Sequence, residues 1–413
     1  MTELLAGRRA LLVSTHYAPE HAGIAPYSTR IAEHLAACGA QVEVLAAMPH
    51  YPAWRVHDDY RGRWRMTEGR GGVRVHRRRT FVPSRQTALR RGLYELSFLA
   101  HGSLGPPAPR PDLVISQMPT LAGGLIGGRL ARRHGVPHAV VVQDLMGAAA
   151  EQSGIRGGGR VASLVAGMEA RILRSATLVG VVHESFMDRV IATGVPAARV
   201  RVVPNWTHVT PPTGDRGAVR ARLGWRQEDF VVLHSGNMGL KQGLEVLVDA
   251  ARIAVRDTPR MRVVIMGDGS QKEHLARRAA DLPNLDLLPP AADADFPDVL
   301  AAADVLLVTQ RSSVRDMSLP SKLTSYFASG RPVIASVAAD GGTAQEVRRS
   351  GAGVVVRAED PEALHRAVGE LIRDPARAKA LGALGPAYVQ ERLSPQAGLG
   401  RITSMLSEAL ALQ

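Results

Sequence analysis

The stretch FVVLHSGNMGLKQGLEVLVDAARIAV, residues 230–255, decides the fold class of this chain. Its first residues, Phe230 to Leu233, form the short apolar run that is typical of a buried strand, and glycines at 236, 239 and 243 then interrupt the run. The residues that follow repeat apolar side chains at helical spacing, namely Leu244, Leu247, Val248 and Ala251. A strand, a glycine loop and an amphipathic helix in this order predict one βα unit of a parallel sheet.

The same order of strand, loop and helix recurs on both sides of this stretch. The predicted strands upstream are RALLVST, QVEVLAA, DLVISQ, HAVVVQD, TLVGVV and RVRVVPN, and those downstream are MRVVIMGDG, LDLLPP, DVLLVT, RPVIAS and AGVVVRA. The turn formers of WTHVTPPTGDRG, residues 206–217, predict a linker between the two series. We therefore expect an α/β protein of two Rossmann-like doubly wound parallel-sheet domains, residues 1–205 and 206–391, with a ligand cleft between them. A C-terminal helix near residues 392–413 is expected to pack back on the first domain.

Composition indicates a globular protein without covalent cross-links. Of the 413 residues, 45% are hydrophobic and 22% are charged, the balance of a folded protein rather than a disordered one. No window approaches the roughly 18 apolar residues that a membrane span needs, and the first apolar run is too short for a signal peptide, so a cytoplasmic location is expected. Cys38 is the only cysteine, which excludes an intramolecular disulfide and a cysteine zinc cluster.

Positive charge is concentrated in the N-terminal half. Residues 1–205 hold 26 arginines and 14 acidic residues, which is +12 of the chain's formal net charge of +13. The segment from Arg61 to Arg91 has eleven arginines and one acid, Glu68. One interpretation is an arginine-rich solvated surface that reflects coding bias. The other is a patch for an anionic partner, such as lipid headgroups, a diphosphate-linked acceptor or nucleic acid.

If the arginines contact a membrane, Arg77, Arg78 and Arg79 are expected to lie on that surface. The neighbouring RRGLYELSFLAHGSL is then expected to place Leu93, Leu96, Phe98 and Leu99 partly in the interface, although such a stretch is more often a buried helix.

The loop after the first strand, STHYAPEHAGIAPYS, contains one glycine, Gly23. A dinucleotide-binding fold would carry G-x-G-x-x-G at this place, and the sequence has no such motif, which argues against a nicotinamide or flavin enzyme. Gly23 precedes a predicted helix and would let backbone amides approach an anion there. A plain turn glycine is the alternative.

Two further loops have the composition of phosphate-binding loops. In the first, Gly236 and Asn237 precede Lys241 at a helix start, and such a set complements a diphosphate. In the second, SLPSKLTSYFASG, the amides after Pro320 are free donors at a helix N-terminus, and Ser321 and Lys322 lie there. A capped structural turn with a surface lysine is the alternative for each. We interpret the anion as the diphosphate of a nucleotide sugar.

These stretches, together with VVPNW at residues 202–206 and MPHYPAW at residues 48–54, resemble the retaining GT-B-fold glycosyltransferases of family 4, in particular the colanic-acid-type exopolysaccharide branch. The resemblance covers nearly the whole chain. It implies a nucleotide sugar bound mainly by the C-terminal domain, an acceptor bound mainly by the N-terminal domain, and no required metal or other cofactor.

Carried over by position, the resemblance implies that Gly23, the Gly236 loop and Lys322 contact the donor phosphates. The family's cleft histidine falls on Gln143, beside Asp144. The family's Glu-x7-Glu motif is absent, and Asp316 is the nearest acid to its first position. The complete set of candidate donor-binding residues is Gly23, Gly236, Asn237, Lys241, Gly267, Asp268, Pro320, Ser321 and Lys322.

Lys241 and Lys322 are expected to stabilise the charge on the departing diphosphate, one oxygen of which takes the acceptor proton. Asp316 would hold sugar hydroxyls, and Asp144 either orients a substrate or caps a strand end. The sequence favours structural or surface roles for His16, His50 and His183 over metal binding, because no metal-binding motif accompanies them.

The predicted partners are a nucleotide-sugar donor, a glycan or lipid-linked acceptor and an anionic membrane surface, with no nucleic acid. Three alternatives remain: a transferase for a soluble natural-product acceptor, a GT-B-type nucleotide-sugar epimerase, and a noncatalytic sugar-nucleotide binder. The base, the sugar and the acceptor are not determined by the sequence.

Overall fold

The computed structural model describes residues 4–84, 87–103, 106, 109–118, 120–145, 158–206, 211–314 and 322–412. The chain divides into two compact units, one formed by Met1–Asn205 with Gly398–Gln413 and the other by Trp206–Ala397. None of the helices in these ranges has the length and apolarity to cross a bilayer.

The first unit contains an eight-stranded sheet. Its strands are β1 (Arg9–Val13), β2 (Gln41–Ala47), β3 (Arg65–Arg70), β4 (Val73–Arg78), β5 (Leu113–Met118), β6 (His138–Val142), β7 (Leu178–Val181) and β8 (Val200–Val202). They lie in the order β3-β4-β2-β1-β5-β6-β7-β8. All pairs are parallel except the edge pair of β3 and β4, which is antiparallel.

Helices connect these strands. They are α1 (Ala25–Ala37), α2 (Ala88–Gly102), α3 (Leu121–His134), α4 (Gly158–Ser175) and α5 (Met187–Ala192). The central strand β5 is buried at all six positions, as a strand covered on both faces requires. Phe98 of α2 and Ile126 of α3 pack with Leu11 and Val114 of the sheet in one apolar cluster.

The second unit contains a six-stranded sheet. Its strands are β9 (Phe230–Asn237), β10 (Met261–Asp268), β11 (Leu285–Leu288), β12 (Val305–Thr309), β13 (Val333–Val337) and β14 (Gly353–Arg357), in the order β11-β10-β9-β12-β13-β14. Every pair is parallel. The helices are α6 (Arg216–Arg222), α7 (Glu245–Asp257), α8 (Lys272–Arg278), α9 (Phe296–Ala302), α10 (Lys322–Ala328), α11 (Gly342–Ser350), α12 (Pro361–Arg373), α13 (Pro375–Tyr388) and α14 (Pro395–Ala411), the last of which extends into the first unit. Two apolar clusters cover the sheet, one on each face. The predicted class, two doubly wound parallel-sheet domains, is confirmed.

Helix α14 completes the core of the first unit. Ile402, Met405 and Leu406 are buried, and Met405 packs against Gly180 of β7 so closely that a Cβ there would lie 3.0 Å from the sulfur. At the polar edges of the helix, Thr403 Oγ1 lies 3.0 Å from His34 Nε2, and Glu408 accepts a hydrogen bond from Arg201 Nε at 2.9 Å.

The arginines of the basic segment do not form one solvated surface. Arg77 of β4 is fully buried, and Glu68 on the neighbouring strand accepts hydrogen bonds from its Nε and Nη2 at 3.0 and 2.7 Å. Arg78 is also buried, and only Arg79 of the three is exposed. The expectation that Arg77 and Arg78 lie on a membrane-facing surface is therefore wrong. The antiparallel edge strand β3 was not predicted, and it supplies the carboxylate that allows Arg77 to be buried.

Candidate functional site

In the second unit, the ends of β9 and β10 bring four of the predicted residues together. Gly236 pairs with Gly267, and Asn237 pairs with Asp268. Gly267 has a φ of +147°, and a Cβ there would lie 1.8 Å from the carbonyl oxygen of Gly236. Only glycine fits this place, so two backbones approach here without side chains between them.

Lys322, the first described residue of α10, reaches the same strand ends. A Cβ on Gly236, whose φ is +136°, would lie 3.1 Å from Lys322 Nζ and 3.2 Å from its Cε. The ammonium nitrogen lies 3.1 Å from Nε2 of His234, a fully buried residue of β9. Lysine therefore occupies the space that the missing Cβ leaves, with its charge directed towards an imidazole.

Burial sets the protonation of this pair. It lowers the pKa of Lys322 to about 8. Burial and the positive charge of Lys322 also lower the pKa of His234 well below its ordinary value, so the imidazole is neutral and accepts the hydrogen bond from the ammonium. An anion beside Lys322 would raise the pKa of the lysine again, because it favours the charged form.

Lys241 lies in a different setting. It is exposed, in the 3-10 turn Leu240–Gln242, and its carbonyl oxygen accepts a hydrogen bond from the amide of Arg311 at 2.9 Å. The Arg311 side chain donates to the Leu240 carbonyl at 2.7 Å and to Glu245 at 2.9 Å. Arg311, which the sequence interpretation did not single out, thus fixes the turn that carries Lys241.

Asn237 and Asp268 are exposed at the rim of these loops. The carboxylate of Asp268 accepts a hydrogen bond from the Gly269 amide at 2.8 Å and lies 3.7 Å from the ammonium of Lys272. A Cβ on Gly269 would lie 2.6 Å from Asn237 Oδ1, so the two loops are in contact. Asp316, Pro320 and Ser321 lie outside the described residues.

The remaining predicted residues belong to the first unit. Gly23 precedes α1 with a φ of +63°, and a Cβ there would lie 3.1 Å from the ring of Tyr51. Gln143 follows β6, is buried, and accepts a hydrogen bond from Asn205 Nδ2 at 2.7 Å. Asp144, the next residue, is half-buried.

The first unit also contains a polar cluster at the ends of β1 and β2 that the sequence interpretation missed. Glu20 is buried, and its carboxylate accepts hydrogen bonds from His16 Nδ1 at 2.8 Å and from the amides of His50 and Tyr51 at 2.7 and 2.8 Å. Tyr94 Oη lies 3.2 Å from His50 Nε2 and 3.4 Å from His16 Nε2. The four-residue spacing of His16 and Glu20 within HYAPE was the available signal.

The charge states within this cluster follow from its contacts. Burial would raise the pKa of Glu20, but the hydrogen bond from His16 and the nearby imidazoles hold it below its ordinary value. Burial lowers the pKa of His50 to about 4. The structure therefore contains a buried carboxylate that holds His16 through its Nδ1, while the other ring nitrogen of His16 faces Tyr94 Oη.

Aromatic rings surround the cluster. Between ring centroids, Trp54 lies 5.7 Å from both His50 and Tyr94 and 5.9 Å from Tyr51. The guanidinium of Arg91 lies over Trp54, 5.2 Å from the centroid of that ring. Trp54 has a φ of +50°, a conformation that costs a non-glycine residue free energy and is found most often at functional sites. The half-buried rings of Tyr51 and Trp54 are suited to packing against the apolar face of a sugar.

His16, Glu20 and His50 are also the residues to consider for a metal, because each offers one ligand atom and these atoms lie within 4.8 Å of one another. The donors to Glu20 argue against this use. Both carboxylate oxygens already accept hydrogen bonds, and His50 Nδ1 lies 2.8 Å from the Met48 carbonyl. A metal would have to displace these contacts.

Comparisons with known proteins show to which proteins this chain is similar. Residues 22–206 match the model of a glycosyl transferase 4-like domain, and residues 229–374 match glycosyl transferases group 1. The putative colanic acid biosynthesis glycosyl transferase WcaI of Escherichia coli is 33% identical over 334 residues, which cover 78% of this chain and 81% of WcaI.

A GDP-mannose-dependent mannosyltransferase of Corynebacterium glutamicum, which acts on a phosphatidylinositol monomannoside, is 29% identical over 49% of this chain and 53% of its own length. Among solved structures, sucrose-phosphate synthase from Thermosynechococcus elongatus has a TM-score of 0.77 at 19% identity, with 98% of this chain and 100% of that chain covered. HepE of Anabaena in complex with UDP-glucose has a TM-score of 0.67 at 17% identity, with 97% and 100% covered.

Proposed function

The chain belongs to the GT-B-fold glycosyltransferases that combine a glycosyl transferase 4-like domain with a group 1 domain, and we propose that it moves a sugar from a nucleotide-diphosphate sugar to a hydroxyl group with retention of configuration. The observation that carries the proposal is the position of Lys322, whose ammonium lies over Gly236 at the carboxyl ends of β9 and β10. Ligands of open α/β sheets bind at such strand ends. HepE, which shares the fold, is solved with UDP and with UDP-glucose.

The chemistry at this place is electrostatic. Breaking the sugar–phosphate bond transfers its electron pair to the departing diphosphate, and Lys322, Lys241 and the loop amides stabilise the resulting charge. The acceptor oxygen forms the new bond to the sugar on the same face, and its proton goes to a diphosphate oxygen. Asp316 is proposed to hold sugar hydroxyls, and no metal or other cofactor is required in this scheme.

We place the acceptor with the first unit. The half-buried rings of Tyr51 and Trp54, which pack against the buried Tyr94, support the binding of a sugar there, and Asp144 would orient it. The proposed acceptor is a lipid-linked glycan of cell-surface polysaccharide synthesis, at the cytoplasmic face of an anionic membrane. The name of WcaI and the net charge of +12 on residues 1–205 support this choice over a soluble acceptor.

A thermal-shift assay with UDP, GDP, UDP-glucose and GDP-mannose tests the donor half. A ligand whose concentration is 100 times its dissociation constant stabilises the protein by about 2.7 kcal/mol. We expect one base to be preferred, Lys322→Ala to lose the shift, and Lys241→Ala to lose less of it because Lys241 is exposed. Lys379→Ala, which removes an exposed lysine of α13, is the matched control.

An equal shift in Lys322→Ala and Lys379→Ala would contradict the donor assignment. Reaction class is tested separately, by incubating the preferred nucleotide sugar with and without a membrane lipid extract. A transferase releases nucleoside diphosphate only with the extract, whereas an epimerase converts or hydrolyses the sugar nucleotide without it.

A further inference from the structure

Helix α2 exposes an apolar stripe. Leu89, Leu93 and Leu96 are 77%, 45% and 61% exposed and are separated by four and three residues, so they lie on one face of the helix. The opposite face is already used, because Tyr94 and Phe98 are buried in the unit. The expectation that Phe98 enters an interface is therefore wrong. Helix α2 has apolar residues on both faces, although one face is enough to attach it to the sheet.

Two exposed aromatic side chains from neighbouring segments lie beside the same helix. Phe81 is 43% exposed, and its amide donates to Ser97 Oγ of α2 at 2.8 Å. Trp64 is 65% exposed, and its ring lies 5.5 Å from that of His101 in the last turn of α2. These five side chains, Trp64, Phe81, Leu89, Leu93 and Leu96, are called the α2 face.

Arginines flank the α2 face. Arg63 and Arg65 adjoin Trp64 and are exposed, and the guanidinium of Arg79 lies 5.0 Å over the Trp64 ring. The acids in this region point elsewhere: Glu68 is paired with Arg77, and Glu95 accepts a hydrogen bond from the Ala122 amide. The face is therefore apolar at its centre and positive at its edge.

We propose that the α2 face docks this enzyme on an anionic lipid bilayer, with its leucines and Phe81 in the acyl boundary and its arginines at the headgroups. Trp64 would lie at the headgroup level, where an amphipathic ring is most stable. The inference rests on the lipid-linked acceptor proposed above, because docking would bring the acceptor unit to its substrate. Charge complementarity favours a bilayer over a protein partner, since Arg63, Arg65 and Arg79, the described charged residues that adjoin Trp64, are all positive.

Cosedimentation with vesicles tests the proposal. The probes are vesicles of phosphatidylcholine alone and of phosphatidylcholine with phosphatidylglycerol, and the protein is the full chain. We expect binding to the anionic vesicles only. The variant Leu89→Ser, Leu93→Ser, Leu96→Ser is expected to bind more than about 100-fold more weakly, because three partly inserted side chains are lost. The control Leu164→Ser, Leu384→Ser, Leu412→Ser removes three exposed leucines elsewhere and should bind like the unchanged protein.

The arginines are tested by Arg63→Gln, Arg65→Gln, Arg79→Gln, which leaves the buried Arg77 intact. Each arginine near a charged surface contributes about a fivefold change in binding, so a loss of about 100-fold is expected at low salt and a smaller one at high salt. Tryptophan emission gives a local readout in the background Trp54→Phe, because Trp206 and Trp225 are buried and Trp64 is then the one exposed tryptophan. Emission should shift to the blue on vesicle binding, and Trp64→Phe should remove most of that shift.

Equal binding to both kinds of vesicle, no binding to either, or full binding by the leucine variant would each overturn the proposal. Concentration-dependent dimerisation that the leucine variant abolishes, without vesicle binding, would overturn it in favour of a second copy of the chain. The nucleotide thermal shift, measured on the same samples, distinguishes a failure of the docking proposal from a failure of the proposed function. A protein that retains that shift but binds no vesicles contradicts the docking face alone.

Discussion

The two sheets end in strand-end regions of opposite construction. In the second unit, the region is lined by the backbones of Gly236 and Gly267 and by the ammonium of Lys322. In the first unit, the corresponding region is filled by side chains, because Glu20, His16 and His50 hydrogen-bond to one another or to adjacent amides. The difference is the one that the two proposed ligands require. A diphosphate needs only donors and positive charge, whereas a sugar needs oriented polar atoms and ring surfaces.

The largest effect is expected from removing the carboxylate that organises the first region. Glu20→Ala leaves the donors of His16, His50 and Tyr51 without their acceptor, and breaking such a buried network costs about 3–5 kcal/mol of unfolding free energy. Differential scanning calorimetry should show a lower Tm. The control is Glu273→Ala, whose side chain is 93% exposed. If both variants melt like the unchanged protein, the cluster does not hold the first unit together.

The second region should instead be sensitive to an added methyl group. Gly267→Ala places a Cβ 1.8 Å from the Gly236 carbonyl oxygen and requires a φ of +147° from alanine. Strain of this kind costs on the order of 1–3 kcal/mol, and we expect the shifted loops to lose most nucleotide binding in the thermal-shift assay. Gly167→Ala, in a helix with open space around its Cβ, should leave nucleotide binding unchanged and should stabilise the protein by about 0.5–1 kcal/mol. Normal binding by Gly267→Ala would show that the strand ends do not form the donor site.

The pH dependence of nucleotide binding is also expected to depend on Lys322. Because the pKa of Lys322 is about 8, the lysine of the free protein is charged below that pH and neutral above it. A bound diphosphate raises this pKa, so its affinity should be full below pH 8 and fall by up to about tenfold per pH unit above it. Calorimetric titration with the preferred nucleoside diphosphate measures this fall. Lys322→Arg keeps its charge throughout and should flatten the profile. A profile that is unchanged in that variant would assign the titration to another group.

Chelation should have the smallest effect. The hydrogen bonds to Glu20 occupy the atoms that a metal would use, so treatment with EDTA is expected to leave the Tm unchanged. Added Zn²⁺ after the treatment is expected to have no effect on the Tm either. A fall in Tm that Zn²⁺ reverses would instead identify His16, Glu20 and His50 as a metal site.

The sequence predicted the architecture because the strand and helix periods are local signals. It also predicted that glycines and a lysine follow the strands of the second domain, since loop composition is local too. The contact between Lys322 and His234 could not be predicted, because 88 residues separate them and His234 lies within an apolar strand that gives no sign of its neighbour. Arg77 is the opposite case. Its sequence surroundings indicate a solvated surface, and only the pairing of β3 with β4 provides a carboxylate beside it.

The return of α14 to the first unit has a consequence for biosynthesis. The second unit is, in chain order, an insertion within the first, since residues 206–397 separate β8 from the helix that covers Gly180. Domains generally fold as units while the chain emerges from the ribosome. Here the first unit to be translated is the last to be completed, because the surface that receives Met405 stays open until the final helix is made. A fragment that stops at residue 205 should therefore aggregate, whereas the same fragment supplied with residues 398–412 as a separate peptide should remain in solution.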